Sequence, residues 1–289
     1  EKSRDSSKKK MESPTKPEPD KSNKILTKDN TNLQHSTQTS KSGITAARIT
    51  QAIEEGEFNL YCQEIAPIKS SITSVSHYEI LIRMHEEENN LMPPGSFLPL
   101  VDQFKMMPKL DRWIINHVAK WLSAHPKTNF VFYINVAKDT LSDRAFPGFI
   151  QDQLQKIKTP PSNLCFEIEV SDAEANTADT LIFTQKIREL GCLVSLCSFS
   201  ESPKSLNLLE KMQVDYLKID GSLVCNILRD EEDLDKVKSI NQLAHKAEIR
   251  TIAELVETDD IIVKLKEIGV DYAQGFGVAM PHPFKDLES

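Results

Sequence analysis

From residue 45 onward, short apolar runs bounded by turn residues alternate with segments whose apolar residues recur at helical spacing. Eight runs have the length of strands: Phe58 to Ile65, His77 to Met84, Phe130 to Val136, Asn163 to Glu169, Leu193 to Cys197, Asp215 to Ile219, Ile249 to Ala253 and Asp271 to Phe276. The helical period is carried by Trp113, Ile114, Val118 and Trp121; by Phe146, Ile150 and Leu154 after Ser142; and by Leu181, Phe183, Ile187 and Leu190. It returns in Leu206, Leu209 and Met212 after Ser202-Pro203, and in Ile262 and Leu265 after Thr258, with hydroxyl and proline residues where helix starts need them. An entering helix is expected before the first strand, capped by Ser42, bearing Ile49, Ala52 and Ile53 on one face and ended by Gly56. Eight strands with intervening helices over about 240 residues predict an α/β fold of the closed (β/α)8, TIM-like type rather than an open doubly wound sheet, and no GxGxxG follows any strand. The first two strand segments have no helical period between them, so the first strand is expected to run antiparallel.

Residues 1–43 break the alternation. They are rich in Lys, Ser, Thr, Asn and Pro, include Lys8-Lys9-Lys10, and hold almost no apolar residues to build a core. A flexible linker is expected here, following an upstream domain, since the chain opens on Glu1 rather than methionine; residues 44–289 are expected to form the barrel. Charge sharpens the division. The net charge of -8 is made of 10 Lys and Arg against 6 Asp and Glu in residues 1–44, leaving 25 against 37 for the rest. A folded part this acidic argues against nucleic acid as a partner, because phosphate-backbone binding needs clustered cations. No apolar run reaches the length of a membrane span, and the basic start lacks the apolar core of a signal peptide. The five cysteines form no CxxC pair, which fits a reducing, cytoplasmic setting better than a disulfide or zinc framework.

In a barrel of this kind the working residues lie at the C-terminal ends of the strands. Polar residues concentrate there: Glu79 in the second strand, Asn135 in the third, Glu167 in the fourth, Lys218 and Asp220 at the sixth, Glu254 and Glu257 after the seventh, and Gln274 in the eighth. Carboxylates converging on one mouth repel one another unless divalent cations or a lysine neutralise them. A cation site for phosphoester chemistry follows, and the scattered histidines favour Mg²⁺ or Mn²⁺ over zinc. Taken singly, Asp220, Glu257 and Gln274 are equally well read as caps or loop residues.

The series then becomes specific. Tyr78-Glu79-Ile80-Leu81-Ile82-Arg83 resembles the signature of the EAL family of cyclic-di-GMP phosphodiesterases, with Ile where the family has Ala. The similarity continues through Tyr61-Cys62-Gln63, Phe97-Leu98-Pro99-Leu100, Ile134-Asn135-Val136, Phe166-Glu167-Ile168, Tyr216-Leu217-Lys218-Ile219-Asp220, Ala253-Glu254-Leu255-Val256-Glu257-Thr258 and Gln274-Gly275-Phe276, in order across residues 45–285. The resemblance implies hydrolysis of cyclic di-GMP to the linear dinucleotide by two divalent ions. It makes Glu79, Asn135, Glu167 and Glu254 ligands of the first metal, and gives Lys218 and Glu257 the catalytic places. It sets Asp220 with Glu257 about the second metal, Gln274 in support, and Gln63, Leu81 and Arg83 on the ligand. Arg83 is the expected phosphate clamp, because a guanidinium fork matches two phosphate oxygens; core packing is the other reading of Leu81.

Against that pattern, the Asp-Asp pair that ends the family's fifth strand is Cys197-Ser198 here, the family's second glutamate after Glu167 is Val170, its glycines after the fifth strand are Ser200 and Ser202, and the arginine before its late proline is Met280. A thiol and a hydroxyl hold hard divalent ions poorly, so the catalytic roles of Lys218 and Glu257 are expected to be vestigial and any Mg²⁺ or Mn²⁺ weakly bound or absent. Glu169 and Glu201 are candidate substitute ligands, each at a different position from the one lost. The expected function is a catalytically inactive receptor for cyclic di-GMP that acts on an upstream domain, such as a diguanylate cyclase-like module, or on a protein partner, and a homodimer is possible in the family. A weak metal-dependent phosphodiesterase and a nucleotide-independent protein-interaction module are the alternatives.

Overall fold

Thr45 rather than Ser42 starts the entering helix α1 (Ala46–Glu55): its hydroxyl accepts from Arg48 N at 3.2 Å, and Gly56 closes the helix at a left-handed φ of 71°. The computed structural model describes residues 45–69, 75–85, 91–92 and 94–287, so the linker expected over 1–43 and the Ser42 cap lie outside the described residues. After α1 the elements run β1 (Phe58–Pro67), β2 (Ser76–His85), β3 (Leu91–Met92), α2 (Pro94–Gln103), α3 (Met107–Ala124), β4 (Phe130–Asn135), α4 (Lys138–Leu141), α5 (Phe146–Leu154), β5 (Leu164–Glu169) and α6 (Val170–Ala175). The chain continues with α7 (Thr177–Glu189), β6 (Leu193–Phe199), α8 (Pro203–Lys211), β7 (Tyr216–Ile219), α9 (Gly221–Val224), α10 (Glu231–Lys246), β8 (Arg250–Ala253), α11 (Asp259–Ile268), β9 (Tyr272–Ala273) and β10 (His282–Pro283).

The strands close a ring in the order β1, β2, β4, β5, β6, β7, β8, β9 and back to β1. This is the expected eight-stranded barrel, and β1 is antiparallel to both neighbours while the other ring contacts are parallel. The antiparallel entry follows from the short β1 to β2 connection, which leaves no room for a crossover helix. β3 and β10 are two-residue additions on β2 and β1. The eighth ring strand is shorter than its apolar run suggests, because the chain leaves the sheet at Gln274.

Most caps expected from the sequence form: Ser202 makes a capping box with Ser205 around Pro203, and Thr258 accepts from Ile261 N. Ser142 does not cap the following helix, which begins later at Phe146 after Ala145. Helix α2 was not visible in the pattern, since Pro94, Gly95 and Pro99 all argue against a helix; Pro94 sits at the start, where its missing N–H is harmless.

Two apolar layers hold the barrel. Between sheet and helices lies a continuous core containing Phe97, Leu110, Phe146, Phe166, Phe183 and Phe199. Inside the ring, at the end away from the strand C-termini, Ile65, Tyr133, Cys165, Tyr216, Ile252 and Tyr272 pack around buried His77, which shares a 2.9 Å hydrogen bond with Tyr133. That aromatic plug leaves the opposite end as the mouth.

Asp111 of α3 is buried beneath the β4 exit, where it accepts from Thr140 Oγ1 at 2.5 Å and Ala137 N at 3.1 Å. Burial outweighs those donors and pushes its carboxyl up to about 7. The folded state then holds a proton over a pH range in which the unfolded chain has released it, so this contribution is fully present below about pH 4 and is lost as pH rises towards 7. Asp111→Asn is expected to remove that slope. Denaturation at pH 4.5 and 7.5 should show wild-type stability falling relative to the variant by on the order of 2–3 kcal/mol, and parallel profiles would contradict it.

Candidate active site at the barrel mouth

Towards the C-terminal ends of the strands, two carboxylates from separate strands meet on one ammonium group. Lys218, in β7, is 2 % exposed, and its Nζ lies 3.0 Å from Glu79 Oε2 of β2 and 2.6 Å from Glu167 Oε1 of β5. Glu79 is further fixed by donation from Asn135 Nδ2 at 2.8 Å to Oε1 and from Gln274 Nε2 at 2.6 Å to Oε2. Gln274 Nε2 also reaches Gln63 Oε1 at 3.2 Å, and Gln63 Nε2 donates to Ala279 O at 2.9 Å. Register explains the convergence: Glu79 faces Gln63 across β1 and β2, Tyr133 sits beside Glu79 on β4, and Asn135 sits beside Glu167 on β5.

The carboxyl groups differ in charge state. Burial alone would raise Glu79, but Lys218 and the hydrogen bonds from Gln274, Lys218 and Asn135 outweigh it and hold that carboxyl below the usual range. Glu167 Oε1 meets only the Lys218 ammonium and Oε2 has no partner, and burial with the charge of Glu79 pushes the carboxyl up to about 8. Burial likewise lifts Glu254 to about 7. Lys218 is held well above the normal lysine range: burial opposes its charge, and Glu167 and Glu79 overcome that.

The remaining sequence candidates lie around this cluster. Leu81 is half-buried and lines a 570 Å³ cavity between β2, α2 and α3 with Asn135 and Glu169, so it fronts a cavity rather than the core. Arg83 stands on the part of β2 that extends beyond the ring; its Nη1 donates to Ile82 O at 2.9 Å and its guanidinium lies 5.5 Å from the Tyr61 ring centroid, with no bond to the cluster. Asp220 caps α9 through Ser222 N at 2.8 Å. Glu257 is exposed on a 320 Å³ pocket shared with Gln63, Glu79, Glu254 and Gln274.

Cys197 and Ser198 interrupt β6. Pairing with β7 shifts between Leu196 and Phe199, and Ser198 takes a left-handed φ of 55°. Cys197 is buried, and burial together with the charge of Glu167 drives its thiol well above the normal range, so it stays neutral. Of the two substitute carboxylates, Glu201 turns away, accepting from Ser239 Oγ at 3.0 Å on α10, while Glu169 remains on the 570 Å³ cavity. Val170 opens α6 and packs in the core, and Met280 is exposed.

Two divalent ions held close together need several anionic oxygens placed between them. Here the anionic Glu79 already accepts from three donors, an ammonium stands 2.6 Å from Glu167, and the β6 end offers a neutral thiol and a hydroxyl. This donor set does not fit a two-ion clamp.

An α/β barrel with a lysine-centred carboxylate and amide cluster at its mouth is the class that the fold and site define. The chain belongs to the EAL domain family, whose model matches residues 46–281. It is 33 % identical over 240 residues to cyclic di-GMP phosphodiesterase PdeB of Shewanella oneidensis, covering 82 % of this chain and 28 % of that protein. It is 31 % identical over 243 residues to cyclic di-GMP phosphodiesterase PdeF of Escherichia coli, covering 83 % and 32 %. The chain therefore spans about a third of the length of these relatives. Among solved structures, the FimX EAL domain of Pseudomonas aeruginosa bound to c-di-GMP superposes with a TM-score of 0.78 at 26 % identity, covering 84 % of this chain and 98 % of that one.

Proposed function

We propose that this domain binds cyclic di-GMP at the barrel mouth without hydrolysing it, and passes occupancy to an upstream domain or a protein partner. The observation that carries the proposal is the position of Lys218 between Glu79 and Glu167. A ligand with two phosphodiester charges is repelled by a mouth full of carboxylates. Here one carboxylate is paired to an ammonium, and Glu167 and Glu254 are raised far enough to carry protons near neutral pH. The mouth is thereby relieved of much of its negative charge by the protein's own groups. Ground-state binding uses pocket shape and Arg83, whereas phosphodiester hydrolysis needs charge stabilisation that Cys197 and Ser198 do not supply. The ligand-bound EAL domain of FimX and the phosphodiesterase relatives support the choice of ligand.

Calorimetry in EDTA tests this. The purified domain is expected to bind cyclic di-GMP without divalent ions, and Arg83→Ala to weaken binding by about tenfold, the worth of one charge-assisted contact. Binding that appears only with metal, or an Arg83→Ala variant equal to wild type, would count against it. One observation favours a second reading, weak hydrolysis with a single ion: Glu167 Oε2 is buried without a hydrogen-bond donor. That reading requires Mn²⁺-dependent turnover which disappears in Glu79→Ala.

A further inference from the structure

The end of the barrel opposite the mouth carries a 460 Å³ pocket whose wall includes the first residues of five parallel strands: Phe130, Leu193, Tyr216, Arg250 and Tyr272. Its charge is unusual for this domain. Asp and Glu outnumber Lys and Arg by 37 to 25 after residue 44, yet no described residue lining the pocket is acidic, and Arg250 brings a positive charge to it.

Arg250 is exposed, and among the described residues its guanidinium is held by phenols rather than by a carboxylate: Nη1 donates to Tyr272 Oη at 3.3 Å, and the Tyr216 hydroxyl bonds it as well. The nearest acid along the sheet is committed elsewhere. Asp215, whose carbonyl accepts from Arg250 N at 3.2 Å, gives its carboxylate to Arg188 and to Val194 N. Two hydroxyls use few of the five N–H groups of a guanidinium. The floor adds no charge of its own, because burial and the neighbouring charge of Arg250 push the His77 imidazole down to about 4 and keep it neutral. Thr128, on the same wall, buries a hydroxyl with no partner, so the wall carries hydrogen-bonding capacity that the protein does not use. A guanidinium with spare donors and no carboxylate to displace is preorganised for an oxyanion. The space exceeds what a bare ion needs and falls within the range of about 300–1,000 Å³ usual for small-molecule sites.

We infer that this pocket is a second binding site, separate from the mouth, for a small organic anion: its phosphate or carboxylate meets Arg250, and its flat or apolar body lies against Phe130, Pro160 and Leu193. Alternate residues of a strand share a face. His77, Tyr216 and Tyr272 line the pocket and stand two residues before Glu79, Lys218 and Gln274 on the same strands. An occupant would therefore touch the layer on which the mouth cluster rests.

The test titrates the whole chain with phenyl phosphate, benzoate and uncharged benzamide, by calorimetry and by the NMR ring signals of His77 and the tyrosines, with melting temperatures on the same preparations. The two anions are expected to bind with Kd of about 1 mM or tighter and benzamide at least about tenfold more weakly. Whichever anion binds more tightly says whether the site takes phosphate monoesters or carboxylates. Arg250→Met is expected to weaken both anions at least about tenfold, and Arg250→Lys, which keeps the charge without the fork, to fall between. Lys238→Ala, at an exposed lysine of α10, should leave binding unchanged. Benzamide binding equal to that of the anions, an Arg250→Met variant equal to wild type, ring-signal shifts confined to residues outside the pocket, or no saturable binding of either anion up to about 10 mM overturns the site. None of these outcomes bears on the mouth, which is tested with cyclic di-GMP.

Discussion

Lys218→Met is expected to destabilise the domain by about 3–5 kcal/mol at pH 8, the usual consequence of removing one partner from a buried charge cluster. Lys218 is the counter-ion for Glu79 and Glu167, and both carboxylates are nearly shielded from water. Without the ammonium, Glu79 keeps its bonds from Asn135 and Gln274 but loses its pairing charge, and Glu167 is left with no partner. Glu167 can escape by holding a proton, which it does readily with a carboxyl already raised to about 8. The cost should therefore shrink as pH falls from 8 to 6, where protonation removes the charge that the lysine had balanced. Urea denaturation at the two pH values measures both parts. A loss under 1 kcal/mol at pH 8, or one that grows on acidification, would show that Lys218 does not organise the mouth.

The second large effect concerns the end of β6. Cys197→Asp with Ser198→Asp places two carboxylates at the end of β6, where Cys197 already feels the charge of Glu167, whose own pairing uses Lys218. In the absence of metal the double variant is expected to lose about 2–4 kcal/mol, because added charge is buried near existing carboxylates without a counter-ion. Mn²⁺ should recover part of that loss as a higher melting temperature, and metal-dependent cyclic-di-GMP turnover should appear where the wild type shows none. The left-handed backbone at residue 198 tolerates Asp better than most residues, so the substitution does not oppose the bulge. A double variant that neither gains stability with Mn²⁺ nor turns over would show that other features silence the site.

The barrel was legible because its determinants are local. Runs such as Phe130 to Val136 and Asn163 to Glu169 are bounded by turn residues, and their register follows once the ring closes. Ser202 and Thr258 announce helix starts through their own side chains. The mouth was legible through the order of its polar residues, since Glu79, Asn135, Glu167, Lys218 and Gln274 each lie in or just after a different ring strand. Their charge states were not, because the difference between Glu79 and Glu167 depends on which one receives Asn135 and Gln274. Helix α2 was hidden by prolines whose cost is met by position and packing rather than by local propensity. Glu201 looked like a substitute ligand by proximity in sequence, but Ser239 draws it outward.

Binding of cyclic di-GMP without hydrolysis is the function proposed for this mouth, where Lys218 pairs with Glu79 and Glu167 and the end of β6 carries Cys197 and Ser198. The most direct test incubates the purified wild-type domain with cyclic di-GMP in Mg²⁺ and then Mn²⁺, following hydrolysis by chromatography and binding by calorimetry on the same preparation. The account predicts saturable binding with no linear dinucleotide formed in either metal; metal-dependent formation of the linear product would contradict it.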